Sequence, residues 1–106
     1  MVRIGDLTIY VDGHTVLRDG AELPLTPLEF DLPLTLARRP GHVFSRTALL
    51  HEVWHYRGEG DTRLVNVHAQ RLRAKVEPDP DHLTIVVTVR GIGYQAGETT
   101  DASILG

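Results

Sequence analysis

A chain of 106 residues with 42% hydrophobic and 24% charged residues has the balance of one small globular domain. It has no cysteine, which excludes a disulfide framework and a thiolate metal site and suits a cytoplasmic location. No apolar run approaches the ~20 residues that cross a bilayer, no signal-peptide pattern opens the chain, and the net charge of -3 hides a segregation of sign.

Met1 to Asp31 carries six acids against two arginines, and its apolar residues fall in short runs. "VRI", "LTIYV", "HTVLR" and "AELPL" are separated by Gly5-Asp6, Asp12-Gly13 and Asp19-Gly20. Asp-Gly pairs supply the positive φ that tight hairpin turns require, so the pattern predicts a four-stranded antiparallel meander. "TPLEFDLPLTLARRPG" then predicts a helix. Thr26 caps it, Pro27 fits its first position, Glu29 completes a capping box, and Pro40-Gly41 stops it. Pro33 conflicts with this helix, because an interior proline removes a hydrogen bond at a cost of about 3 kcal/mol. The expectation is a kink, or a helix that depends on packing there.

"SRTALLHEVW" predicts a second helix, capped by Ser45, with Leu49, Leu50, Val53 and Trp54 on its buried side. The loop "HYRGEGD" follows, and Asp61 or Thr62 opens a third helix, "RLVNVHAQRLRAKV", which ends at Glu77-Pro78-Asp79-Pro80. "LTIVVTVRGIGYQA" predicts a β-hairpin with Arg90 to Gly93 near its tip. The order meander, three helices, hairpin gives an α+β winged helix-turn-helix domain over 1–97. Residues 98–106 are expected to form a flexible C-terminal tail.

The third helix holds four cations and no acid between Arg63 and Val76. At about 100° per residue, Val65, Ala69, Leu72 and Val76 share a core face. Arg63, Val67, Gln70, Arg71 and Ala74 point the other way, with Asn66 and Arg73 on one flank and His68 and Lys75 on the other. Cations suit phosphates, Arg reads guanine, Asn or Gln reads adenine, and an exposed Val can meet a thymine methyl. A solvated face more often alternates Glu and Lys. The plainer alternative packs Val67 under the wing and ties Asn66 in a local hydrogen bond. Protonation of His68 would add a phosphate-seeking charge, though its default role is that of a neutral hydrogen-bond donor.

"LTPLEFDLPLTLARRPGHVFSR", "EVW", "DTRLVNVHAQRLRAKVEPDP" and "VVTVRGIGYQAG" resemble the winged-helix effector domain of OmpR/PhoB-type response regulators, nearest the actinobacterial MtrA-like branch. The resemblance implies a third helix in the major groove of double-stranded DNA and a wing arginine, Arg90, at the adjacent minor groove or backbone. It implies phosphate contacts near Ser45 and Arg46, and DNA contacts at Arg63, His68, Arg71 and Arg73. With Asn66, Val67, Gln70, Lys75 and Thr88 these form the candidate DNA-binding set. The loop Tyr56, Arg57, Gly58, Glu59 falls where the family contacts RNA polymerase. The family binds tandem direct repeats as head-to-tail dimers, driven by a phosphorylated receiver domain that lies outside this chain, in a two-component phosphorelay. This chain departs from the family in having Pro33 for Leu, Asn66 where many members have Asp, Gln70 where many have a basic residue, and His55 where Gly usually follows the tryptophan.

"HEVWHYRGEGD" also matches H-E-x-x-H, which on a helix would offer His51 and His55 to zinc, Glu52 as general base and Asp61 as third ligand. Three observations argue against a protease. Met1 is the only methionine, so no downstream Met-turn can form. The chain leaves little room for a cleft, and the apolar residues of the helix already explain it as a core element. The expectation is therefore no enzyme, no metal and no cofactor. The alternative from another class is a winged helix whose basic face docks on an acidic protein.

Overall fold

The computed structural model describes residues 1–56 and 60–97, and the backbone of 99–100. Four strands open the chain: β1 (Val2–Ile4), β2 (Leu7–Tyr10), β3 (Thr15–Arg18) and β4 (Ala21–Glu22). They pair in sequence order as an antiparallel meander. Two-residue connections fit Ile4↔Leu7 and Arg18↔Ala21. At the second, Asp19 and Gly20 both have positive φ (51° and 81°), as a type I′ turn needs. At Asp12-Gly13 the expectation shifts by one residue, because His14 takes the positive φ (49°). Ile4, Leu7, Ile9 and Val16 alternate onto the buried face.

α1 (Pro27–Ala37) begins with the expected capping box. The Thr26 hydroxyl accepts from the Glu29 N–H, and the Glu29 carboxylate accepts from the Thr26 N–H at 2.9 Å. The helix runs on through Pro33. Leu32, Pro33, Leu34 and Leu36 are all buried, so the helix is held by packing rather than by its own ladder at that point. α2 (Arg46–Trp54) is capped by Ser45, whose hydroxyl accepts from Ala48 N–H at 3.0 Å. It ends at His55 in the left-handed conformation (φ 58°), and the Tyr56 N–H closes back onto the Leu50 carbonyl. That conformation is why glycine is the common residue at such a helix end.

α3 (Arg63–Val76) buries Val65, Ala69, Leu72 and Val76 completely. Burying each of Val65, Leu72 and Val76 contributes about 1.5–3 kcal/mol, which fixes the rotation of the helix and so the direction of its other face. The wing follows as β6 (Val86–Val89) and β7 (Gly93–Ala96), paired Val86↔Ala96 to Val89↔Gly93. Two short strands were not anticipated. β5 (Phe44–Ser45), directly before α2, pairs with β7 and makes the wing a three-stranded sheet ordered β5-β7-β6. Gly93 is required there, since a Cβ would stand 1.9 Å from the Phe44 carbonyl oxygen. β8 (Thr99–Thr100) pairs with β1, so the first sheet has five strands, β4-β3-β2-β1-β8, and pairing continues beyond the boundary expected at residue 97.

Candidate nucleic-acid interface

The core face of α3 turns the opposite face outward beside the wing. Arg63, Val67, Gln70, Arg71 and Ala74 are exposed there, as the helical spacing predicts. Val67 is 46% exposed, so it does not pack under the wing. The side chains of Arg71 and Gln70 form no hydrogen bond or ion pair among the described residues. At the wing tip, the Ile92 N–H closes a turn onto the Val89 carbonyl at 3.0 Å, leaving Arg90 and Ile92 exposed. The outward face therefore offers an unpaired arginine, an amide and a β-branched apolar residue, with a second arginine on the adjoining hairpin.

The flanking candidates are less free. Arg73 donates from Nε and Nη2 to the Val86 carbonyl (3.0 and 2.8 Å) and from Nη2 to the Thr88 hydroxyl (2.6 Å). It thereby fastens α3 to β6. The Asn66 Oδ1 accepts from Arg46 Nε and from the Tyr94 hydroxyl, both at 2.7 Å. The guanidinium groups of Arg46 and Arg73 each stand 5.4 Å from the centre of the Tyr94 ring. His68 and Trp54 make an edge-type ring contact, with centroids 5.2 Å apart.

Two cations of the segment end on carboxylates. Lys75 turns away from the outward face and donates to Glu29 Oε1 at 2.6 Å, tying α3 to the capped start of α1. Burial alone would raise the Glu29 carboxyl, but hydrogen bonds from Lys75 and Thr26 outweigh it and hold the group below its ordinary value. Arg63 grips Asp61 through Nε and Nη2, while Asp61 Oδ1 also accepts the Arg63 N–H at 2.9 Å. These bonds hold the Asp61 carboxyl below its usual range. Thr62 occupies the cap position without a side-chain bond, so the acid before it closes the start of α3.

Sequence reasoning missed three supports of this arrangement. Arg18 on β3 grips Asp6 and donates an Nη to the Val76 carbonyl, closing the end of α3. The Glu77 carboxylate accepts the backbone N–H groups of Thr84, Ile85 and Val86, which anchors the wing to the end of α3. Tyr94 donates its hydroxyl to Asn66 and sets its ring against the Arg46 guanidinium. The only signal for it was its place in the T-V-R-G-x-G-Y run.

The H-E-x-x-H reading meets a geometric obstacle. α2 ends at Trp54, so His55 stands past the helix in the left-handed conformation rather than within a helical H-E-x-x-H turn. Asp61 is engaged by Arg63. Of the loop expected to meet polymerase, Tyr56 is 47% exposed, and Arg57, Gly58 and Glu59 lie outside the described residues.

A helix with a buried apolar stripe and a cationic outer face, joined to a hairpin wing, defines the winged-helix class of DNA-binding domains. Residues 20–96 match the family described as "Transcriptional regulatory protein, C terminal", and the chain belongs to that family, as an OmpR/PhoB-type effector domain of the MtrA-like branch. It is 60% identical over 97 residues to the DNA-binding response regulator MtrA of Mycobacterium tuberculosis, covering 92% of this chain and 42% of the relative. It is 50% identical over 91 residues to the transcriptional regulatory protein AfsQ1 of Streptomyces coelicolor, covering 86% and 40%. The chain thus spans less than half the length of these relatives. Among solved structures it resembles the Klebsiella pneumoniae RstA DNA-binding domain in complex with the RstA box (TM-score 0.80, 30% identity, 90% and 94% covered). It also resembles the response regulator DrrB, an OmpR/PhoB homologue of Thermotoga maritima (TM-score 0.80, 31% identity, 91% and 43% covered). This family is a regulatory DNA-binding class rather than an enzyme class. No described helix is long and apolar enough to cross a membrane.

Proposed function

We infer that this domain binds double-stranded DNA sequence-specifically and is the output half of a response regulator that controls transcription. The observation that carries this reading is the outward face of α3, where Arg71, Gln70 and Val67 are exposed and the arginine and amide side chains have no partner among the described residues. That mixture suits base edges, because arginine reads guanine bidentately and a β-branched side chain meets the thymine methyl. Arg90, on the adjoining wing, reaches the neighbouring minor groove or backbone. Gln70 in place of a basic residue shifts that position from charge toward hydrogen bonding.

Binding to tandem direct repeats as a head-to-tail dimer and contact of the Tyr56–Glu59 loop with RNA polymerase extend this reading. Both rest on family membership, as does control by a phosphorylated receiver domain. A cytoplasmic location follows from the same role. Selection from random duplexes should return one half-site at a regular spacing. Arg71→Ala should then cost about 1–3 kcal/mol on that site and relax one base position, while Arg90→Ala weakens binding with little change in α3-read bases. If both variants leave duplex affinity unchanged at moderate salt, the DNA reading is wrong.

A further inference from the structure

Three cations packed around α3 end on carboxylates: Arg18 on Asp6, Arg63 on Asp61 and Lys75 on Glu29. Arg46 and Arg73 do not. Their acceptors are an amide oxygen, a backbone carbonyl and a hydroxyl. Among the described residues neither is ion-paired with Asp or Glu. Both lie against the same ring, Tyr94, which attracts each guanidinium without cancelling its charge.

We propose that Asn66 is a positioning residue, which holds Arg46 for one DNA backbone phosphate and leaves the whole charge of that arginine available to it. This rests on the DNA reading above and moves Asn66 from base reader to support. Asn66 Oδ1 accepts two hydrogen bonds, and both partners, Arg46 Nε and the Tyr94 hydroxyl, are donors here. A carbonyl oxygen has two lone pairs. Bidentate reading of adenine needs that oxygen free together with the amide N–H. The oxygen is occupied, so the side chain cannot present the pair. Arg46, in contrast, spends only Nε on Asn66 and keeps its terminal N–H groups for a phosphate. An aspartate at 66 would accept the same two bonds, but its charge would oppose that of Arg46.

The test is duplex affinity of this chain across a salt series, for the unmodified chain, Asn66→Asp, Asn66→Ala, Arg46→Gln and the double variant Asn66→Asp with Arg46→Gln, with thermal unfolding measured alongside. The expected result for Asn66→Asp is unchanged sequence preference and a log K against log salt line shallower by about 0.9. Between roughly 50 and 200 mM salt the unmodified chain should therefore lose about 3.5-fold more affinity than the variant. Arg46→Gln should give the same shift, and adding Asn66→Asp to it should give no more. A folded Asn66→Asp with the original slope overturns the assignment. Should that variant not fold, an original slope in Arg46→Gln overturns it equally. A changed base preference in Asn66→Ala at a single site position restores Asn66 as a reader and overturns it as well. An unmodified chain that binds no duplex overturns the DNA reading itself, and this assignment with it.

Discussion

Lys75 and Arg71 lie one turn apart on α3, and the structure gives them opposite tasks. Lys75 reaches inward to Glu29, a buried carboxylate at the start of α1. Arg71 is exposed with no partner among the described residues. The other two cations of the segment fall between these extremes: Arg73 is bound to neutral acceptors on the wing, and Arg63 to Asp61. Four like charges in the sequence thus become one unpaired charge, one held but uncompensated charge and two charges neutralised by carboxylates. A count of basic residues overstates the charge that a helix presents to DNA. What each cation can contribute depends on the charge of its acceptor.

The strongest challenge to this contrast removes the inward carboxylate. Glu29→Ala deletes half of the capping box and the partner of Lys75, and should cost about 1–3 kcal/mol of stability in denaturant unfolding. The salt dependence of DNA binding should stay the same, because the Lys75–Glu29 pair is not on the outward face. A steeper dependence in this variant would mean that Lys75, once released, reaches phosphate. Acid should act on the same group. The folded state holds the Glu29 carboxyl below its ordinary value, so its contribution is complete above the unfolded value near 4.3 and is lost as pH falls through the lower, folded one. The denaturant midpoint should therefore fall less between about pH 4.5 and pH 3 in Glu29→Ala than in the unmodified chain.

Arg73 tests the intermediate case. Lysine keeps the charge but cannot span the Val86 carbonyl and the Thr88 hydroxyl with one planar fork. Arg73→Lys should loosen the seat of the wing on α3 by about 1–2 kcal/mol, seen as faster amide exchange in β6 and β7. Unchanged exchange there would show that Glu77 and the β5–β7 pairing hold the wing without Arg73. Lys75→Met should be milder, about 1 kcal/mol or less in stability, because that side chain is partly exposed.

These differences also mark how far the sequence could be read. The core stripe Val65, Ala69, Leu72, Val76 and the caps Thr26 and Ser45 were legible because their signals are local: a 3.6-residue period, and a hydroxyl three residues before an N–H. The outward set of Arg63, Val67, Gln70 and Arg71 followed from the same period. Partners distant in the chain were not legible. Nothing near Lys75 points to Glu29, and nothing near Arg18 points to the end of α3. β5 is only Phe44–Ser45, too short to show an alternation, and it exists because β7 lies beside it. Pro33 left two outcomes open, because local propensity argues against a helix; the one found is a helix that packing maintains, with Leu32, Pro33, Leu34 and Leu36 buried.

Asp61→Asn should have the smallest effect and complements the change at position 66. Asn66→Asp places a carboxylate beside an uncompensated arginine, and Asp61→Asn removes one from a compensated arginine. The amide oxygen can still accept the Arg63 N–H, so the start of α3 should persist and thermal unfolding should scarcely move. Arg63 would then be an exposed cation at the first turn of the recognition helix. The affinity line against salt should steepen by less than the ~0.9 of a full phosphate contact, because an exposed pair screens its own charges only in part. Arg63→Ala in the unmodified chain should leave the slope nearly unchanged, and in the Asp61→Asn background should reverse the gain. A full-sized loss of slope from Arg63→Ala alone would mean that Arg63 leaves Asp61 for phosphate when DNA arrives. The carboxylate contrast would then hold for the buried Glu29 and fail for a pair exposed to solvent.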